Sequence, residues 1–485
     1  MRPVMTPISR LAVLATALLL SGCAAFHVEP VLPPTVSQAF EKTGLPETAL
    51  AFIAIPLHQR DRAIRLRDQQ VMQPASTMKL VTAIVALDRL GPNARGHTEL
   101  LAADAQTGDV LNGPLYLRGG ADTELDWGVL GTMLRQLREQ GVREIRGGLV
   151  VDRTLFKPAR MDVGVPPFDE QPEFQYNQIP DALQLNVNLL DVRMQSDATG
   201  VEARVFPAWP GVSIDASALA VTDGQCADWE DGWRVPVVTA GRIQLQGSFP
   251  KNCKQSPPLN LVDRQLLTAS AVRQLWRELG GVIGDGDGEG ATPVDARVLA
   301  RHDGRPLAEV TRELLKSSDN PLARLTYLRL GAASAKAADH PRTADASDAE
   351  VRAWLVAHGI ADDGLVMDNG SGLSRSERIK PAQLAAMLVA ALDGPYAPEL
   401  LTALPVAGVD GTMQRRLKNT PAEGRARLKT GTLNNVVALA GVVPDRLNRP
   451  WVVVAMINAP EAGVSGAKKN GRPVLDALIA WISAK

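Results

Sequence analysis

The spacing of apolar residues changes twice along the chain and predicts three regions. The first contains two strand-like segments within residues 50–71, followed by a helical pattern over residues 77–90. In the second, from residue 96 to about 300, many short strand-like segments are separated by Gly and Pro. Helical patterns return after residue 300. The chain then ends on three strand-like segments and a helix, at 426–432, 436–443, 451–457 and 474–483.

This order of elements predicts an α+β fold. Short turns between the C-terminal strand-like segments favour antiparallel neighbours. The middle region, residues 96–300, is typical of a mostly β insertion, and we expect two subdomains within it. With 485 residues, of which 45% are apolar, the chain is long enough for two or three domains with hydrophobic cores.

The N-terminus has the pattern of an export signal. Residues 11–20 form an apolar run that is too short to span a bilayer. The run ends in Leu-Ser-Gly-Cys, which looks like a bacterial lipobox, with Cys23 as the acylated first residue of the mature protein. We therefore expect residues 1–23 to be a lipoprotein-type signal peptide. An ordinary signal cleaved after Ala25 is the alternative.

The sequence after the signal predicts the location of the protein. Residues 24–46 contain scattered prolines without a clear period, and we expect them to be a tether. The protein should be exported to the periplasm and anchored by lipid. Ala24, which is not acidic, follows Cys23 and favours the outer membrane. Since Cys226 and Cys253 then remain as a pair in an oxidising compartment, they are predicted to form a disulfide, with two unpaired thiols as the alternative.

Charge and motif content exclude several function classes. Lys and Arg total 52 against 53 for Asp and Glu, which argues against a chain that coats nucleic acid. The six histidines have no zinc-binding spacing, and the Asp/Gly run at 284–290 lacks the glutamate that closes an EF-hand loop. We expect a flexible acidic turn there, no metal and no cofactor. A G-x-S-x-G motif and a Walker A motif are both absent.

The first candidate for chemistry is the Ser76-Thr-Met-Lys79 sequence. Positions three apart share one face of a helix, so the Lys79 amine can reach the Ser76 hydroxyl. A serine hydroxyl is a poor nucleophile without a base, and a lysine with a depressed pKa can be that base. A backbone N–H at a helix N-terminus can also stabilise an oxyanion. By itself this motif is frequent, and a solvated helix start is the alternative.

Two further motifs make the assignment specific. Ser318-Asp319-Asn320 lies between predicted helices, and Lys429-Thr430-Gly431 lies on a predicted strand. S-x-x-K, S-D-N and K-T-G in this order are the signature of class A β-lactamases and penicillin-binding proteins. The sequence therefore predicts a serine hydrolase that forms an acyl-enzyme on Ser76.

Each of the remaining motif residues has a predicted task. Ser318 can pass a proton between Lys79 and the leaving amine, and Asn320 can hold Lys79 and bind a substrate amide carbonyl. Lys429 is suited to a substrate carboxylate, which Thr430 can also bind. A further prediction concerns the end of the same strand: Gly431 should allow a close approach of the substrate, and the Thr432 N–H should be the second oxyanion donor.

With these motifs, the sequence resembles the D-alanyl-D-alanine carboxypeptidase/endopeptidases, the class C penicillin-binding proteins of low molecular mass. In this family a large insertion separates the first two motifs, and here Ser318 follows Ser76 by 242 residues. Four further segments resemble this family: 115–120, 184–188, 368–375 and 404–412.

The resemblance implies a β-lactamase/transpeptidase-like domain, formed by residues 47–95 and 301–485 and split by the insertion. It implies peptidoglycan stem peptides ending in D-Ala-D-Ala as substrates, and β-lactams as inhibitors that acylate the same serine. Cys226 and Cys253 lie where such proteins often have a disulfide. Two features depart from the family: the lipobox, and Phe168-Asp169 where relatives often have tryptophan.

Two other functions share part of this pattern. A β-lactamase has the same three motifs, but class A enzymes add a deacylating glutamate in an E-x-x-L-N context. Glu350, the nearest candidate, is followed by Val-Arg-Ala-Trp and does not match. A non-catalytic cell-wall-binding lipoprotein is expected to lose a motif, and none is lost here.

Overall fold

The computed structural model describes residues 32–165 and 171–485. The predicted signal peptide with Cys23 and the Phe168-Asp169 pair lie outside the described residues. Within these ranges, no helix is both long and apolar enough to cross a bilayer.

The fold is organised around a five-stranded antiparallel sheet. Its strands, in spatial order, are Ile64–Leu66, Leu50–Pro56, Pro450–Asn458, Val436–Pro444 and Arg427–Leu433. Apolar residues alternate between its two faces. Val452 and Val454 belong to the core on one face, whereas Val453 and Ala455 belong to the core on the other. Both faces are covered, which explains why the three central strands are nearly continuous apolar runs.

Helices cover the sheet and extend into the insertion. In chain order they are α1 Pro34–Thr43, α2 Met78–Leu90, α3 Trp127–Glu139, α4 Arg264–Glu278, α5 Leu307–Glu313, α6 Asn320–Ala333, α7 Thr343–Ala357, α8 Pro381–Asp393, α9 Ala397–Ala403 and α10 Arg472–Ser483. Residues of α2, α6, α7 and α8 belong to the core on one face of the sheet, and α1 and α10 to the core on the other.

The predicted tether at 24–46 is wrong from Pro34 onward. Helix α1 starts with Pro34 at a position that favours proline, and Val36 and Phe40 lie four residues apart on its buried face. This apolar stripe packs in one core with residues of α10. Val36 and Phe40 are a single pair of apolar residues at helical spacing. Such a short pattern does not indicate a helix when prolines surround it.

The chain leaves and re-enters the catalytic part at adjacent points. Strand Arg95–Ala102 pairs antiparallel with strand Arg297–Pro306, with Arg95 opposite Pro306. The two ends of the insertion are therefore side by side, and the flanking segments can form one sheet.

In its described residues, the insertion contains mostly short strands and two α-helices, α3 and α4. Besides the pair at its base, its strands are Gln106–Thr107, Val110–Leu111, Leu115–Gly120, Glu144–Ile145, Leu149–Asp152, Leu190–Ser196, Val201–Phe206, Ser213–Asp215, Leu219–Thr222, Trp233–Thr239, Arg242–Pro250, Lys254–Gln255, Pro258–Leu259, Val282–Ile283 and Gly288–Glu289. Their buried side chains form one contiguous hydrophobic cluster. The division into two subdomains stays a prediction.

Covalent and ionic links tie the insertion together. Cys226 and Cys253 form a disulfide, as predicted. The acidic run at 284–290 is not the flexible turn that we expected. Asp287 pairs with Arg273, and Glu289 pairs with the buried Arg153. In the described ranges, no cluster of three or more His, Cys, Asp or Glu is placed to hold a metal ion.

Candidate active site

The nucleophile candidate Ser76 is half-buried in a tight turn immediately before α2. The preceding Ala75 has a φ of 45°, a left-handed conformation that is unfavourable for a residue with a Cβ and is common at functional sites. Two glycines allow other segments to contact this turn closely. A Cβ on Gly372 would lie 1.8 Å from the Ala75 carbonyl oxygen, and a Cβ on Gly431 would lie 2.7 Å from the Pro74 carbonyl oxygen.

Lys79 lies one helical turn after Ser76, and its side chain is fully buried. Its Nζ is 3.0 Å from Ser76 Oγ, 2.6 Å from Asn320 Oδ1 and 2.5 Å from the carbonyl oxygen of Ser371. A neutral amine has two N–H groups and one lone pair. Because the two carbonyl oxygens accept both N–H groups, the lone pair is left for the hydroxyl proton of Ser76. This geometry is suited to a general base.

The lowered pKa of Lys79 is also what a general base requires. Burial lowers the pKa of Lys79 from 10.5 to about 7, because the ammonium form loses its hydration in the interior. The negative charges of Glu377 and Asp319 raise the same pKa by smaller amounts. A substantial fraction of the amine is therefore neutral near pH 7.

The second motif starts helix α6 and orients an amide. Asp319 caps the helix, since its carboxylate accepts a backbone N–H of the first turn at 2.8 Å. The pKa of Asp319 is raised, mainly by burial. Asn320 accepts a hydrogen bond from Lys79 through Oδ1 and donates to the Tyr176 carbonyl oxygen through Nδ2 at 3.1 Å. Its amide orientation is thus set by one donor and one acceptor.

The third motif lies on the edge strand Arg427–Leu433 of the central sheet. Lys429 is fully buried and donates to Ser318 Oγ at 2.8 Å. The pKa of Lys429 is lowered well below 10.5, first by burial and then by the positive charge of Lys79. Thr430 donates through its hydroxyl to Thr412 Oγ1 at 2.8 Å. Thr412 belongs to the segment 404–412.

The fold brings the three predicted motifs together at one place, with Ser318 contacting the third motif. The hydroxyl of Ser318 accepts a hydrogen bond from Lys429. The transfer of a proton between Ser318 and Lys79 stays a prediction. Gly431 allows the backbone of Pro74 to approach its strand closely. From the sequence we had expected Gly431 to allow a close approach of the substrate. Thr432 is exposed on the same edge strand.

Three further residues take part in the site and were not predicted from the sequence. Ser371 and Tyr176 contribute backbone carbonyl oxygens, which leave no signal in the residue type. Glu377 is fully buried beside the segment that contains Ser371. The one sequence feature that pointed to this region was segment 368–375, which resembles a segment of the carboxypeptidase family. That segment contains Ser371 but ends two residues before Glu377.

These three motifs form one site, and a match to a known family agrees with their arrangement. Residues 33–481 match the sequence model of the D-Ala-D-Ala carboxypeptidase 3 (S13) family. The chain belongs to that family. It is a serine-type D-Ala-D-Ala carboxypeptidase, as the family resemblance implied.

Individual relatives agree with this carboxypeptidase assignment. The D-alanyl-D-alanine carboxypeptidase of Actinomadura sp. (strain R39) is 33% identical over 394 residues, covering 76% of this chain and 70% of that protein. The D-alanyl-D-alanine carboxypeptidase DacB of Haemophilus influenzae is 25% identical over 440 residues, covering 89% and 90%.

A solved structure supports the fold. The crystal structure of penicillin binding protein 4 (dacB) from Haemophilus influenzae has a TM-score of 0.78 at 24% identity, and the match covers 93% of this chain and 99% of that chain. The same protein complexed with a β-lactam has a TM-score of 0.75. The predicted α+β, β-lactamase/transpeptidase-like fold of this carboxypeptidase is confirmed.

A cleft of about 670 Å³ adjoins the active site of the carboxypeptidase. The catalytic part contributes Ser318 and Asn320 to its lining, and the insertion contributes Tyr176 and Trp229. The insertion therefore forms one wall of the space next to the motif residues.

Proposed function

We propose that this carboxypeptidase cleaves peptidoglycan stem peptides ending in D-Ala-D-Ala through an acyl-enzyme on Ser76. The observation that carries the proposal is the placement of Lys79 Nζ 3.0 Å from Ser76 Oγ, with the oxygens of Asn320 and Ser371 as its two other partners. Burial supplies the lowered pKa that a base needs at neutral pH.

Acylation follows from the positions of the groups. Lys79 accepts the Ser76 proton as Oγ attacks the carbonyl carbon of the penultimate D-Ala. The oxyanion is stabilised by the N–H groups of Ser76 and Thr432. The C–N bond then breaks, and the leaving D-Ala amine receives its proton through Ser318, which Lys79 resupplies.

Recognition of the peptide terminus rests on Lys429 and Thr430. Lys429, which is buried beside Ser318, is well placed to pair as an ammonium with the terminal carboxylate of the substrate. Binding of that carboxylate offsets the desolvation that lowers the pKa of Lys429. A substrate that lacks the carboxylate should bind less well.

Deacylation and cross-link cleavage use the same groups. After D-Ala leaves, Lys79 can activate a water molecule that hydrolyses the ester on Ser76. The cleft between the catalytic part and the insertion offers room for the second peptide of a cross-link. We therefore include endopeptidase activity in the proposal.

The proposal extends to penicillin. A β-lactam acylates Ser76 in the same way, but its leaving group stays tethered and obstructs the incoming water. The acyl-enzyme should therefore persist. The relative from Haemophilus influenzae has been solved with a β-lactam, which supports β-lactam binding at this fold.

The proposed location is the periplasmic side of the outer membrane, through lipid on Cys23. The lipobox before Cys23 and the alanine after it support this location. Several acyl chains on one N-terminal cysteine are sufficient for stable anchoring.

The decisive test is labelling with fluorescent penicillin. We expect a stable label on the peptide that contains Ser76, and we expect Ser76→Ala to abolish both the label and D-Ala release. Ser217→Ala, in an exposed turn of the insertion, is the control and should label normally. Label on a different peptide, or rapid nitrocefin turnover typical of a β-lactamase, would contradict the proposal. A wild-type protein that takes no label would indicate a non-catalytic wall-binding protein.

A further inference from the structure

Glu377 is a fully buried carboxylate that lies under the segment leading to Ser371. It accepts four backbone N–H groups of that segment. Oε1 is 3.3, 3.1 and 2.8 Å from the amides of Asp368, Asn369 and Gly370, and Oε2 is 2.7 Å from the amide of Gly372. A carboxylate surrounded by four donors on one short segment determines the conformation of that segment.

The other side of the segment is pressed against the nucleophile turn and α2. Gly370 and Gly372 have φ values of 71° and 78°, and a Cβ on Gly370 would lie 2.6 Å from Thr82 Oγ1. Thr82 Oγ1 also donates to the Gly370 carbonyl oxygen at 2.7 Å. The segment is thus held between α2 and the Glu377 carboxylate, which leaves it little freedom to shift.

Between the two glycines lies Ser371, whose carbonyl oxygen accepts the 2.5 Å hydrogen bond from Lys79. This carbonyl is one of the two acceptors that direct the Lys79 lone pair toward Ser76. The position of the base therefore depends on the segment that Glu377 organises. Glu377 also adds the largest of the favourable charges that act on the Lys79 ammonium.

We propose that Glu377 is a positioning residue for the catalytic base. Its carboxylate holds residues 368–372 so that the Ser371 carbonyl aims the Lys79 amine at Ser76. This inference rests on the proposed acyl-enzyme mechanism.

Other charges surround this pair and must be held constant in a test. Lys79 is faced by Asp319 at the start of α6 and by Lys429 on the edge strand. Glu377 is also influenced by Asp368, and it acts on Arg324 and Tyr327 of α6. Five groups near the pair can therefore contribute to a pH profile: Asp319, Lys429, Asp368, Arg324 and Tyr327.

Two substitutions separate geometry from charge. Glu377→Gln removes the charge and places an amide N–H₂ against the Gly372 N–H, so one donor loses its acceptor. Glu377→Asp keeps the charge but shortens the side chain. The readout is the second-order rate constant of acylation by fluorescent penicillin from pH 5 to 8. Folding is checked by thermal unfolding.

For Glu377→Gln we expect the plateau rate constant to fall by about 10- to 100-fold, at or below the lower end of the ~10²–10⁴-fold contribution of a general base, since Lys79 stays in place but is aimed less well. The acid limb should move to lower pH by about 0.5 to 1 unit, since loss of a nearby negative charge lowers the pKa of Lys79. Glu377→Asp should lose a similar amount at the plateau, with its acid limb close to that of the wild-type protein.

The control is Glu99→Gln, a substitution of another buried glutamate, which lies at the base of the insertion and pairs with Arg118 and Arg301. It should leave the acid limb in place. An unmoved limb in Glu377→Gln, or wild-type plateaus in both variants, would overturn the inference, because a residue that only stabilises the fold would give one of these results. Failure of the wild-type protein to label on Ser76 would instead overturn the proposed mechanism.

Discussion

The protonation of Lys79 leads to a quantitative prediction for the rate of acylation. Burial lowers its pKa from 10.5 to about 7. At pH 7 the neutral fraction of the amine therefore rises from about 0.03% to about half, a gain of about 1,600-fold in the amount of base. Below pH 7 the neutral fraction falls about tenfold for each pH unit.

We expect the acylation rate constant to follow this fraction. A plot of its logarithm against pH should have a slope of one on the acid side and should bend at about pH 7, where the buried Lys79 amine has its pKa. The sign follows from the mechanism, because protonation removes the lone pair that accepts the Ser76 proton. Stopped-flow or quenched labelling with fluorescent penicillin measures this dependence.

Substitution of Lys79 tests whether this residue causes the fall in acylation rate on the acid side of the plot, the acid limb. Lys79→Met keeps most of the volume without an amine, and it should lower acylation by about 10²–10⁴-fold and remove the acid limb. Lys79→Ala should lose a similar amount but leave a cavity next to Ser76. Small primary amines should partly restore acylation in Lys79→Ala and should not do so in Lys79→Met, where the side chain fills the space.

Three results would refute this reasoning. One is an acid limb that is absent in the wild-type protein between pH 5 and 8. The second is a Lys79→Met variant that retains acylation within about tenfold of the wild-type protein, since that is less than the loss of a general base causes. The third is an unchanged acid limb in Lys79→Met, which would assign the titration to another group.

Further predictions concern the rest of the molecule. Lys429→Ala should raise KM about 10- to 100-fold for a peptide with a free terminal carboxylate, and less for the amidated peptide, as steady-state kinetics on the pair would show. Replacing both Cys226 and Cys253 by Ser opens a loop with a separation of 27 residues. This should reduce the free energy of unfolding by up to ~3.5 kcal/mol in denaturant titrations; an unchanged midpoint would contradict it. Mass spectrometry of the membrane fraction should find a lipid-modified Cys23 as the first residue, and an unmodified start beyond it would contradict the lipobox prediction.

Much of the catalytic layout was predictable because it depends on local spacing. The three-residue interval from Ser76 to Lys79 places both side chains on one helix face, and the structure has them 3.0 Å apart. Short turns separate the last three strands of the chain, and the final two of them are nearly continuous apolar runs. Their observed bounds differ from the predicted ones by one residue or less at each end.

Other features were decided only by the tertiary structure. The apolar face of α1 is defined by its contact with α10, and the sequence alone favoured a tether there. The depressed pKa of Lys79 results from burial, and burial is produced by segments that are distant in sequence. Gly431 is required by the approach of Pro74, which no local pattern indicates.

The sequence by itself determined which residue types carry the chemistry and in which order they occur. Only the tertiary structure decided that Ser371 offers a backbone carbonyl to Lys79 and that Glu377 holds it there. A backbone carbonyl is present at every residue, and a lone glutamate is expected at the surface. Their roles arise because folding removes them from water and aligns them with a particular amine, and neither burial nor alignment is encoded in a short local pattern.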